Sequence, residues 1–134
     1  MPLYLFNPKS EALLASLHPD LLRIVRRMMG YQALDVTVTC TLRTPEQQAV
    51  ALAAGNSATT RSKHFADAAG FARAVDMAPA PVDYKDVKRF GLLMGLMIAA
   101  AREEGVAMRC GGNWDGDNDF HDNTPEDPGH FELT

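Results

Sequence analysis

Two histidines and several carboxylates stand in two short segments of this 134-residue chain. Ser62-Lys63-His64 runs on to Ala74-Val75-Asp76-Met77-Ala78-Pro79, and Asp127-Pro128-Gly129-His130-Phe131-Glu132-Leu133 closes the sequence. A catalytic metal needs three protein ligands and an open fourth position for water. Hydrolysis also needs an unligated acid to move protons. Two histidines and one carboxylate can meet the first need, and a further carboxylate three residues before the last histidine, Asp127, can meet the second. A histidine by itself is more often packed or solvated than ligating, so the weight lies on the local pattern around each one. Asp127-Pro128-Gly129 is also a turn composition, and turn and acid are compatible readings.

These residues must be carried by particular elements. Pro19 to Met29 reads as a helix with Leu21, Leu22, Ile24, Val25, Met28 and Met29 on one face, Pro19 in its first turn and Gly30 as its stop. Arg23, Arg26 and Arg27 then form a solvated face. Val36, Val38, Cys40 and Leu42 alternate with threonines, the pattern of a half-buried strand. Arg43 follows at the strand's end, a corner well placed to face a cleft, and Thr44-Pro45-Glu46-Gln47 is a capping-box start for a helix closed by Gly55. Asn56 to Lys63 is loop, and Ala74 to Met77 is a short strand ended by Pro79 and Pro81. Asp83 is expected to cap a long helix with Val87, Phe90, Met94, Met97, Ile98 and Ala101 on its core stripe, widened by Leu92, Leu93 and Leu96. Gly105 stops it, Val106 to Met108 starts a strand, Gly111 to Gly129 is a long polar loop, and His130 to Leu133 is a final strand. The expected class is α+β: one small domain over 1–134, with helices packed on a small, mainly antiparallel sheet that carries the metal site.

Composition narrows the partners. A net charge of −4 gives no basic footprint for nucleic acid. No apolar run approaches the ~20 residues of a membrane span, so no membrane insertion is expected. The first residues lack a basic start and a long apolar stretch, which predicts a product made in the cytoplasm without a signal peptide. Cys40 and Cys110 have no metal-ligand spacing and are expected as reduced, buried thiols; a disulfide would need the fold to bring them together.

The same segments resemble the zinc D-alanyl-D-alanine carboxypeptidase and L-alanyl-D-glutamate endopeptidase family, and within it the small phage endolysins that cut peptidoglycan stem peptides. The resemblance runs from Leu17-His18-Pro19-Asp20-Leu21 through Arg43 and Ser62 to Pro79, and from Gly111 to the end. It implies that His64, Asp76 and His130 bind zinc and that Asp127 is the general base. Zinc lowers the pKa of bound water to ~7, and a nearby carboxylate can take the proton and return it to the leaving amine. Leu-Arg-Thr-Pro-Glu-Gln-Gln is similar to the family's Arg-Ser/Thr-x-x-x-Gln segment, which makes Arg43 a partner for a substrate carboxylate or for the oxyanion. Gln47 and Ser62 are weaker candidates for the same pocket. Glu132 shares a strand face with His130 and either orients it or forms a surface ion pair.

One departure stands out. The family usually has its aspartate seven residues after the first histidine, where this chain has Phe71. The Ala-Val-Asp-hydrophobe-Ala-Pro signature comes instead at Asp76, as though five residues were inserted before Gly70. Such an insertion in a turn costs little closure entropy. Asp67 is the rival ligand, without the flanking strand pattern.

The acidic run from Asp115 to Glu126 spaces its oxygens somewhat like an EF-hand but has Phe120 in the glycine position and no helix before it. Asp115, Asp117 and Asp119 are therefore a candidate calcium site of another kind, or a solvated loop. Gly111-Gly112-Asn113-Trp114-Asp115 is similar to a Gly-Gly-Asp-Trp-like segment of the endolysins, which puts Trp114 in the cleft wall or beneath it. The resemblance implies a zinc metallopeptidase acting on stem peptides, at the L-alanyl-D-glutamate bond. The lack of a signal peptide and of a wall-binding module fits action in the periplasm after the membrane is permeabilised, and a monomer is expected. A D-alanyl-D-alanine carboxypeptidase or dipeptidase shares the site, and a non-catalytic metal-stabilised wall-binding module is the alternative from outside the enzymes.

Overall fold

A computed structural model describes residues 3–53, 63–111 and 127–134. Side-chain caps and prolines start its helices. Asn7 accepts the Ser10 N–H to cap α1 (Pro8–Leu14), and the ring of His18 accepts the Asp20 N–H to cap α2 (Pro19–Gly30). α3 (Pro45–Ala53) opens on a reciprocal cap. Thr44 Oγ1 accepts the Gln47 N–H at 3.1 Å, and Gln47 Oε1 accepts the Thr44 N–H at 2.8 Å. α4 (Val87–Glu104) is capped by Asp86 and ends at Gly105, whose φ of 68° suits glycine.

Two helix expectations change. α1 was not anticipated, although Asn7-Pro8 is a start signal. Asp83 does not begin α4, because its carboxyl is taken by the Lys85 N–H at 3.0 Å in a local turn, which leaves Asp86 to cap. The buried stripe of α4 is also narrower than expected: Phe90, Leu93, Met94, Met97, Ala100 and Ala101. Leu92, roughly 200° around the helix from Phe90, is 46% exposed, and Val87, in the first turn, is 68% exposed.

Strands β1 (Val36–Cys40), β2 (Ala74–Pro79), β3 (Met108–Gly111) and β4 (Asp127–Leu133) form one sheet in the order β1-β2-β4-β3, with each neighbouring pair antiparallel. α1 packs on β1, α4 packs on the other three strands, and α2 packs on α4. The core joins Leu21, Ile24, Val25 and Met28 of α2 to Val75, Met77, Phe131 and Leu133 of the sheet. Full burial of each such side chain is worth about 1.5–3 kcal/mol, enough to set strand register. Because side chains alternate across a strand, burying Val75 and Met77 turns Asp76 to the opposite face. Phe131 and Leu133 do the same for His130 and Glu132.

Two irregularities shape that opposite face. On β1 the register shifts between Val38 and Cys40, so Cys40 pairs with Asp76 instead of continuing the ladder. Beyond the shift the expected alternation fails, with Thr41 buried and Leu42 exposed. On β4, Gly111 pairs with Asp127, where an unbroken ladder from Cys110–Phe131 would pair it with His130. Glycines permit this crowding. A Cβ at Gly111 would overlap the Asp127 carbonyl, and one at Gly129 would lie 2.5 Å from the Met77 carbonyl oxygen and 3.3 Å from the Phe90 ring. The ring can turn, but the strand backbone cannot. Gly129→Ala is therefore expected to cost about 1–3 kcal/mol of stability, as overpacking does. A denaturant midpoint equal to the parent's would show that β2 and β4 can separate freely there.

Candidate metal centre

Asp76 and His130 are direct cross-strand partners on β2 and β4. His64 reaches them from the turn that precedes β2. Asp76 Oδ1 lies 3.3 Å from His64 Nε2 and 3.0 Å from His130 Nδ1. The two rings meet edge to face with centroids 5.1 Å apart. Residues far apart in sequence thus set a histidine nitrogen from each of two segments against the same Asp76 oxygen.

Each ring is also held at its far nitrogen. His64 Nδ1 is 2.7 Å from the Thr41 carbonyl oxygen, which can only accept, so Nδ1 carries the proton and Nε2 is left to face Asp76. His130 Nε2 is 2.8 Å from Glu132 Oε1, which leaves Nδ1 to face Asp76. These are the tautomers in which a metal takes an imidazole, with the second ring nitrogen bonded to a carbonyl or carboxylate. The residues fit a metal of borderline softness such as zinc.

The electrostatics fit as well. Burial opposes a charge on His64, but Asp76 and Cys40 outweigh it and push the ring up to about 10. Burial likewise opposes a charge on His130, yet Asp76 and Glu132 push it up to about 9. Burial would raise Asp76, but the two histidines hold it well below the usual carboxylate range. A metal cation bound here would replace the protons that face Asp76 and release them.

Asp127, at the head of β4, has a carboxylate oxygen in a group with ligand atoms of Asp76 and His130, all within 4.8 Å of one another. Desolvation of its carboxyl by the surrounding protein and the charge of Asp76 push it up, against the pull of His130, His64 and Arg43. That direction favours a proton acceptor. Arg43 donates its backbone N–H to the His64 carbonyl at 2.8 Å and sets Nη2 3.6 Å from Asp76 Oδ2. The strand-end arginine does face the cluster.

Asp67, the rival ligand, is engaged elsewhere. Its Oδ1 accepts the N–H groups of Ala69 and Phe71, both at 2.9 Å, and closes the turn over 67–71. Gln47 is exposed and spends its side-chain oxygen on the α3 cap. Ser62, Trp114 and the candidate calcium residues Asp115, Asp117 and Asp119 lie outside the described residues.

Sequence reading missed Cys40. Neither cysteine is in a disulfide, and Cys110 is buried as expected, but Cys40 is only half-buried. Its Sγ lies 3.8 Å from His64 Nδ1 and 3.5 Å from Arg43 Nη2. It also belongs to a second group of potential ligands, with His64 and Asp76. Burial would raise the thiol, but His64 and Arg43 pull it below its ordinary value. The only signal for this was its place three residues before Arg43, and the β1 register shift was needed to use it.

Three comparisons bear on this arrangement. The family model for phage L-alanyl-D-glutamate peptidase matches residues 3–134. The L-alanyl-D-glutamate peptidase of Escherichia phage T5 is 31% identical over 137 residues, covering 96% of this chain and 96% of that protein. The crystal structure of the Serratia marcescens L-Ala D-Glu endopeptidase ChiX superposes with a TM-score of 0.79 at 30% identity, over 99% of this chain and 91% of that one.

Proposed function

The chain belongs to the phage L-alanyl-D-glutamate peptidase family, and we propose that it is a zinc endopeptidase whose ligands are His64, Asp76 and His130. It hydrolyses peptidoglycan, and its target is the L-alanyl-D-glutamate bond of the stem peptide. The observation that supports the metal reading best is the paired restraint of the histidines, each fixed at its far nitrogen with the near one turned to Asp76.

Zinc held there would supply a Lewis acid for the scissile carbonyl and acidify the attacking water. Asp127 takes the proton as water adds and delivers it to the departing amine. Arg43 has two uses: its guanidinium steadies Asp76, and it offers charge to a substrate carboxylate or to the developing oxyanion. Among the described residues no helix is long and apolar enough to cross a membrane. We propose that the protein acts in the periplasm after the membrane is permeabilised.

Mass spectrometry of muropeptides digested by the purified, zinc-loaded protein tests the bond. The expected products are stem peptides that begin with D-glutamate. Loss of the terminal D-alanine alone would make the protein a carboxypeptidase. Intact stems despite bound zinc would make it a wall-binding module.

A further inference from the structure

Glu132 is a buried carboxylate, only 6% exposed, two residues from a proposed metal ligand. A charge so placed is costly unless it is paired and hydrogen-bonded. One oxygen, Oε1, meets His130 Nε2 at 2.8 Å. The other, Oε2, is 3.2 Å from Arg109 Nε on β3 and 3.9 Å from Lys63 Nζ. His130 is thus clamped between two carboxylates, Asp76 on one nitrogen and Glu132 on the other, and turning the ring over would forfeit both bonds.

Lys63 extends the arrangement to the other histidine. Its ammonium donates to the Leu133 carbonyl at 2.6 Å, and its own carbonyl accepts the Arg73 N–H at 2.8 Å. Arg73 in turn accepts the Leu133 N–H at 3.0 Å. Lys63 precedes His64 directly, so the contacts around Glu132 fasten both ligand-bearing segments to the same end of β4.

We propose that Glu132 is a positioning residue for the metal centre: held by Arg109 and Lys63, it fixes the His130 ring and strengthens that ring's hold on the metal. The proposal rests on the zinc reading above. An ionised acceptor on Nε2–H makes the opposite nitrogen a better donor, and loss of such a partner typically costs about 10–100-fold in metal affinity.

Zinc affinity of the whole chain, measured by competition with a chelator, tests this without recourse to activity. Glu132→Ala is expected to bind zinc about 10–100-fold more weakly. Glu132→Gln keeps an acceptor oxygen but loses the charge, so its affinity should fall between that of Glu132→Ala and the parent. Should Glu132→Ala fail to fold, Arg109→Ala removes a half-exposed clamp and is expected to weaken binding by a smaller factor. Folded Glu132→Gln and Arg109→Ala proteins with the parent's affinity would overturn the positioning role. A parent chain that binds no zinc would instead overturn the metal reading on which the role depends.

Discussion

Alanine at either His64 or His130 is expected to remove stoichiometric zinc and hydrolysis of stem peptides together. Three ligands are the minimum for a catalytic zinc, and each histidine provides one of the two nitrogens that face Asp76. The ion supplies several kcal/mol of transition-state stabilisation, so turnover should fall by about 10³-fold or more. Metal content per chain, measured beside the rate, is the deciding pair of observations. Asp76→Ala should behave in the same way. Asp67→Ala should keep its zinc, because that carboxylate is occupied by the Ala69 and Phe71 N–H groups. A variant set in which Asp67 is required for zinc and Asp76 is not would reverse the ligand assignment.

Asp127→Asn is expected to retain zinc and fold while losing about 10²–10⁴-fold in turnover, the usual cost of one general acid–base group. The amide occupies nearly the same space but cannot accept the proton of the attacking water. This variant also separates two roles that geometry alone leaves together. Asp127 lies close enough to Asp76 and His130 to serve as a ligand itself. Loss of zinc from Asp127→Asn would make it one, and near-parental turnover would rule it out as the base.

Much of the geometry of the proposed centre was legible in the chain because its logic is local. His64, Asp76 and His130 each sit in a short pattern, and the alternation of Val75-Asp76-Met77 and His130-Phe131-Glu132 already says which side chains share a face. The α2 and α4 stripes follow from period alone, apart from the margins at Val87 and Leu92. What could not be read depends on register, which is a property of two strands at once. Cys40 appeared to continue the apolar face of Val36 and Val38, and only the shift against β2 brings it opposite Asp76. Leu42 failed as a core residue for the same reason. Asp83 and Gln47 show a different limit: a short polar side chain can satisfy a neighbouring backbone group or face a cleft, and the sequence does not say which. The three-residue shift at Gly111 needs two glycines on separate strands, and neither alone predicts it.

The sheet order has a consequence for how this enzyme comes into being. β4 follows β1, β2 and β3 in the chain, yet it lies between β2 and β3 and carries both His130 and Asp127. Until it inserts, β2 and β3 each lack a neighbour, and Asp76 has only one of its two histidines. Domains generally fold as units. Here the core of α2 includes Phe131 and Leu133, so the unit and the proposed metal centre are both incomplete without β4. With the proposed roles of His130 and Asp127, a chain in which β4 has not inserted carries no hydrolytic activity, however much of its helical layer has formed.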